Sequence, residues 1–262
     1  MTAADAALVA NLPGWAFKFA LVLSRCGAAC MLMPGCAEAE VPMMVRAGFA
    51  AMLTLLLLPV LAAGLPDAPA NVWLQFGNVA AELAAGLLLG WVARLLMLSL
   101  PLAGQFIAVL AGHASVLQPD SVLGPQGAAV GKLFALAAPV LILASGLYVL
   151  PLTALARSYQ VIPAGVLLPA ADTARTIVAA VAEVFALALR LAAPFVVAGI
   201  VWHAALAAIA RLVPQVQVFF IAAPAQLLGG LVLLGLLGGG LIQVWRDYLQ
   251  ASLPYLPGFQ AN

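Results

Sequence analysis

The chain has 262 residues, 66% of them hydrophobic and 7% charged, with ten Lys and Arg against nine Asp and Glu. A soluble domain carries roughly 25% charged residues; no soluble fold of this size hides so much apolar surface, and the expected class is an all-α membrane protein. A net charge of +1 with no run of Lys or Arg excludes nucleic acid as a partner, because phosphate backbones demand a basic face.

The N-terminal Met1–Leu12 carries Asp5 and neither Lys nor Arg. It lacks the positive start of a cleaved signal peptide, so the first helix is expected to be retained. Apolar runs read against helix breakers place that helix at Trp15–Met33, closed by Pro34 and Gly35. The second is expected at Met43–Ala63, closed by Gly64 and Pro66. A third runs from Val72 through Arg94 to Leu100, where Pro101 can kink it before a further stretch to Ala111. A polar, turn-rich segment, His113 to Gln126, follows. The fourth helix is expected at Leu133–Ala156. The fifth starts after Pro169 with Asp172 or Thr173 as N-cap and reaches Arg211, with Pro194 as an interior kink. The sixth, Leu212–Trp245, would be about 50 Å long as one helix against a hydrocarbon core of about 30 Å. It must tilt, break at Pro224 or its glycines, or protrude. About six long hydrophobic helices result, some kinked or broken. The windows Ala47–Pro66, Leu133–Ala156, Leu191–Ala210 and Leu212–Trp245 contain no Asp, Glu, Lys or Arg.

Small residues recur at helical spacing: Gly86 and Gly90; Gly104, Ala108 and Gly112; Gly127 and Gly131; Gly235 and Gly239. In lipid such stripes let helix backbones approach closely. Each pair reads first as intramolecular packing, and four stripes in one chain point to some contact between subunits. Loop charge does not set an orientation: Arg157, Arg175 and Arg246 on one side balance Arg46, Lys132 and Arg211 on the other.

Five charges fall inside or beside apolar segments: Arg25, Glu82, Arg94, Glu183 and Arg190. Charge at membrane depth is costly unless paired or wet. Glu183 and Arg190 share a helix face but lie too far apart for a direct pair, so their partners are expected on other helices or chains. Buried ion pairs that fix register are favoured over a proton or ion relay, which needs more Asp, Glu or His than this chain offers.

Cys26 and Cys30 share a helix face, and Cys36 is the remaining cysteine. The spacing matches no zinc pattern and neither His is near, so helix packing is preferred to a metal or redox role. His113 and His203 have no neighbours that complete a catalytic set. The stretch GPQGAAVGK, Gly124 to Lys132, ends like a phosphate-binding loop, but Gln126 stands where the first Gly is needed and Leu133 where Ser or Thr is. No nucleophile elbow and no His-Glu-x-x-His occur. No enzyme, metal or cofactor is expected.

Four stretches, in order along nearly the whole chain, resemble the FliR family of the flagellar export apparatus. MPGCAEAEVPMMVRAGFAAMLTLLLLP, Met33 to Pro59, resembles the family's Pro-containing turn, its Val-Pro and Arg, here Pro42 and Arg46, and its Leu-rich helix closed by Pro. ELAAGLLLGWVARL resembles the family's Glu-x3-Gly-x3-Gly pattern, here Glu82, Gly86 and Gly90. AGQFIAVLAGHASVLQPDS, from Ala103, resembles its Ala-Gly, Gly and Asp-Pro series, although the order here is Gln118, Pro119, Asp120. RLVPQVQVFFIAAPAQLLGGLVLL resembles its Arg, Pro-Gln, Phe-Phe and Pro series, here Arg211, Pro214, Gln215, Phe219, Phe220 and Pro224. A Lys common after that Pro is missing, with Gln226 in its place, so no basic contact carries over.

The resemblance implies one FliR-like subunit assembled with FliP-like and FliQ-like subunits into a helical hetero-oligomeric gate. Unfolded flagellar proteins would pass through it across the bacterial inner membrane at the flagellar basal body. FlhB-like and FlhA-like export components would be further partners. It implies a FliP-like part over 1–170, a FliQ-like hairpin over 171–262, and a pore plug carrying His113, Ser115, Gln118, Pro119, Asp120, Gly124 and Gln126. Packing and assembly would rest on Pro42, Arg46, Glu82, Gly86, Gly90, Arg94, Gly104, Gly112, Glu183, Arg190, Arg211, Pro214, Gln215, Phe219, Phe220 and Pro224. The injectisome homologue of the gate would share these patterns. A secondary solute transporter, the alternative of a different class, predicts inverted repeats and a midplane site on broken helices; no convincing repeat is visible.

Overall fold

The computed structural model describes residues 3–111, 129–212 and 218–256, with backbone alone for 3–10, 129, 218–221 and 255. The described residues form helices without strands: α1 (Ala3–Leu32), α2 (Met43–Leu61), α3 (Val72–Leu110), α4 (Ala129–Ala144), α5 (Val149–Val161), α6 (Ala170–Leu212) and α7 (Val218–Ser252). Short 3-10 turns follow α2 at Ala62–Gly64 and α7 at Leu253–Tyr255. Among the described residues, five helices are long and apolar enough to cross a membrane, or six if the broken pair α4 and α5 counts as one span. The protein is thus an all-α membrane protein of the expected kind.

The helix ends follow backbone chemistry. α1 stops where Pro34 and Gly35 were expected to stop it, with Gly35 in the left-handed region at φ 85°. It begins earlier than Trp15, because Pro13 is accommodated inside the helix; a proline removes one donor and does not by itself end an apolar helix held by its neighbours. Pro42 starts α2, its carbonyl accepting from the N–H groups of Val45 and Arg46. Pro101, Pro194 and Pro224 all lie inside continuous helices. α7 therefore does not break at Pro224 or its glycines, and its 35 residues exceed the roughly 20 a bilayer needs.

Two expectations need correction. The fourth helix is not one segment over Leu133–Ala156: it breaks at residues 145–148, where Gly146 sits at φ 75°. Pro151 then falls in the first turn of α5, among N–H positions that lack helical partners anyway. Neither Asp172 nor Thr173 caps α6. The helix starts at Ala170, and both the backbone N–H and the hydroxyl of Thr173 donate to the carbonyl of Pro169.

The chain forms two compact units. The first comprises Met1–Leu96, Ile142–Ala180 and Gln250–Asn262. Its core is the packing of α1 on α2 and α3, with Leu21, Val22, Cys26, Ala29 and Cys30 of α1 buried along with Ala81, Ala85 and Leu89 of α3. Polar side chains inside these helices are satisfied locally: Ser24 donates to the carbonyl of Ala20 and Thr54 to that of Ala50, each at 2.7 Å. The second unit comprises Met97–Leu141 and Val181–Leu249. It buries Leu100, Ala103 and Ile107 of α3 together with Leu187, Leu191 and Phe195 of α6 and Trp245 of α7.

Much apolar surface stays uncovered. Met44 and Leu56 on α2 are 87% and 69% exposed, and Leu236 on α7 is 77% exposed. Such faces are stable only against lipid or another apolar protein surface.

Candidate functional site: a buried ionic hub

The most unusual chemistry in the first unit is an ion pair with no solvent contact. Arg25 and Glu82 are both 0% exposed. The guanidinium meets the carboxylate in a fork, Nε to Oε2 at 2.8 Å and Nη2 to Oε1 at 2.9 Å. Nη1 donates to the Ser158 hydroxyl at 3.1 Å and, together with Nη2, to the Ile162 carbonyl at 3.1 Å. Each of the five guanidinium N–H groups therefore has an acceptor. The Tyr159 ring lies under the guanidinium, 4.0 Å from Cζ to its centroid. Glu82 accepts a further bond from the backbone N–H of Gly165 at 2.8 Å.

Local structure explains the geometry. Ile162 is the C-cap of α5, and its carbonyl is one of those a helix end leaves without a partner; a cation there also meets the negative end of the helix dipole. Pro163 to Val166 form a turn in which the N–H of Val166 donates to the Pro163 carbonyl, with Gly165 at φ 80° as a type II turn requires. That turn presents the Gly165 N–H to Glu82. One ion pair thus ties α1, α3, the end of α5 and the following turn together.

The glycines beside the hub belong to the same construction. A Cβ on Gly86 would overlap the backbone carbonyl of Arg25 and crowd Ala28. A Cβ on Gly90 would stand 2.6 Å from the Ala29 carbonyl and 3.0 Å from the Leu32 Cβ. The Gly86 and Gly90 stripe is the seam on which α3 receives α1, an intramolecular use.

The other charges hold loops. Arg46 donates through Nε to the Val41 carbonyl at 3.1 Å and through Nη2 to the Glu38 carbonyl. Arg94 reaches the Ala37 carbonyl at 3.4 Å and the Glu38 carboxylate at 4.0 Å. Both therefore secure the segment between α1 and α2. Cys36 in that segment is half-buried, and desolvation raises its thiol above the ordinary range, with Arg46 partly opposing.

Within the second unit, Glu183 is exposed and accepts from the Tyr248 hydroxyl of α7 at 3.0 Å, and Arg190 is exposed. Gly104 meets α4 closely, its added Cβ standing 3.0 Å from the Gly131 Cα. By contrast Gly235 and Gly239 of α7 have nothing within 4 Å. Trp245 donates to Ser99 at 3.1 Å, both fully buried. Pro224 and Arg211 are exposed, and the side chains of Phe219 and Phe220 lie outside those described. Gly112, Pro214, Gln215 and the plug residues His113, Ser115, Gln118, Pro119, Asp120, Gly124 and Gln126 lie outside the described residues.

Arg25 and Glu82 both stood out in the sequence as charges in apolar helices, but nothing there joined them to each other, and Ser158, Ile162 and Gly165 were missed altogether. A readable signal existed: an Arg and the one Glu of α3, each well inside an apolar helix, are costly charges that offset each other by meeting.

The family model described as "Bacterial export proteins, family 1" matches residues 16–252. The chain is 32% identical over 228 residues to the flagellar biosynthetic protein FliR of Caulobacter vibrioides (strain ATCC 19089 / CIP 103742 / CB 15). The alignment covers 87% of this chain and 91% of that protein.

Proposed function

The chain belongs to family 1 of the bacterial export proteins and is FliR-like, and from that premise we propose that it is a core subunit of the flagellar type III protein export gate. In this reading it assembles with FliP-like and FliQ-like subunits in the bacterial inner membrane, at the flagellar basal body, and unfolded flagellar proteins pass through the assembly. FlhB-like and FlhA-like components adjoin it. The observation that carries the reading is the match across residues 16–252, joined to the likeness to a flagellar biosynthetic protein.

The physical character of the chain supports the role. A gate for passing polypeptides needs apolar surfaces that seal against neighbours, and α2 and α7 carry them, uncovered, at Met44, Leu56 and Leu236. It also needs subunits stiff enough to hold a seal against a moving chain, and the Arg25 and Glu82 hub supplies internal stiffness. It does not need a nucleophile. Residues 1–170 would act as the FliP-like part and 171–262 as the FliQ-like hairpin, with His113 to Gln126 as the displaceable plug.

Deleting the chromosomal copy is expected to abolish swimming and to leave hook and filament proteins inside the cell, with a plasmid copy restoring both. Normal export of flagellar proteins from the deletion strain would overturn the flagellar assignment.

A further inference from the structure

The second unit contains a cavity of about 270 Å³, walled by Leu110 of α3, Phe195 and Trp202 of α6, and Gly229 and Leu233 of α7. That is nearly twice the roughly 150 Å³ of an apolar cavity that stays dry and admits benzene. No charged residue lines it, so water entering would find few of the two to four polar partners it needs. Gly229 leaves part of this space open, with nothing within 4 Å of an added Cβ, while Gly199 and Gly230 lie close against Leu110 and Ala111.

One wall residue carries an unanswered polar group. The Trp202 indole N–H is buried and has no acceptor among the described residues, a condition that buried donors rarely tolerate. Gln226, also in the wall, donates to the Leu110 carbonyl at a long 3.4 Å. The cavity thus asks for a guest with a long apolar body and one oxygen acceptor.

The surroundings say where such a guest comes from. Neighbouring residues of the same helices turn apolar side chains outward: Val197, Ile200 and Val201 on α6 are each 63% exposed, and Leu228 and Val232 on α7 are 65% and 61% exposed. The α6 face lies outside the surfaces given above to neighbouring subunits, and an outward apolar face of a membrane protein without a protein neighbour adjoins lipid. We propose that the cavity binds one acyl chain of a membrane phospholipid, whose ester carbonyl accepts the hydrogen bond of the Trp202 N–H. The hydrocarbon fills the space between α6 and α7, and the ester satisfies the buried Trp202 donor. The inference is independent of the export role and concerns only what this chain holds in a bilayer.

The test reconstitutes the full chain in vesicles containing phosphatidylglycerol with a photoreactive diazirine on the acyl chain, and maps the cross-links by peptide mass spectrometry. Wild type is expected to carry label on the peptides containing Phe195 to Trp202 and Ala225 to Leu233. Gly229→Leu, whose Cβ has nothing within 4 Å and whose side chain narrows the space, is expected to abolish that label while leaving label on α2 unchanged. Trp202→Phe, which keeps the ring and removes the donor, is expected to reduce it several-fold. A wild-type cavity that takes no label, as when another part of the chain occupies it, overturns the proposal. Equal labelling of wild type and both variants also overturns it.

Discussion

Replacing Arg25 by Met, or Glu82 by Leu, is expected to remove the protein from the membrane fraction, whereas the Arg25→Met, Glu82→Leu double variant regains part of the wild-type level. The pair is fully buried and each partner is bonded several times over. Removing one partner leaves a charge in the apolar interior with its counter-charge gone, which costs roughly 3–5 kcal/mol. A folded chain is stable by only about 5–15 kcal/mol in total, so one substitution consumes a large share. Replacing both removes the charge conflict and leaves the Ile162 carbonyl and the Gly165 N–H short of partners, a smaller loss of roughly 1–3 kcal/mol for each group left unsatisfied. The measurement is detergent-extracted abundance with a thermal midpoint for each variant. A double variant no better than the worse single one would show that the hub is not a coupled pair.

Gly86→Leu and Gly90→Leu are the second large effect. The atoms that a new Cβ would strike are backbone carbonyls of Arg25 and Ala29, which cannot swing aside as a side chain does. α1 must then move away from α3, and Arg25 moves with it off Glu82, so the clash propagates into the hub. Each variant is expected to fail at folding, before any assembly step, with protease sensitivity in α1 as the readout. Gly235→Leu is the control: nothing lies within 4 Å of that position in the chain, so the isolated subunit keeps its wild-type melting behaviour. Equal stability of Gly86→Leu and wild type would contradict the close approach of α1 and α3.

Much of this architecture was legible in the sequence because lipid imposes long uncharged runs, and runs are easily counted. The ends at Pro34 and at Pro42 were legible for the same reason that they occur: both are prolines next to a turn. The break at residues 145–148 was not, because Gly146 sits in an apolar stretch with Pro139 and Pro151 on either side, and a helix tolerates both prolines in its first turn or against neighbours. The failed cap at Asp172 and Thr173 has a different cause. Thr173 bonds backward to Pro169, an option every helical Thr has and that spacing cannot exclude. The hub was half legible: charges at membrane depth announce a cost, but which charge meets which is a long-range fact of packing. Its backbone partners, the Ile162 carbonyl and the Gly165 N–H, have no side-chain signature at all.

The central claim is that this chain is one subunit of a larger export assembly. Its most direct test is native mass spectrometry of the chain co-expressed with its genomic neighbours and extracted in mild detergent. The account predicts a single large hetero-complex that contains one copy of this chain together with several copies of smaller apolar subunits. A stable monomer or homodimer that binds a small solute would contradict it and return the chain to the solute transporters.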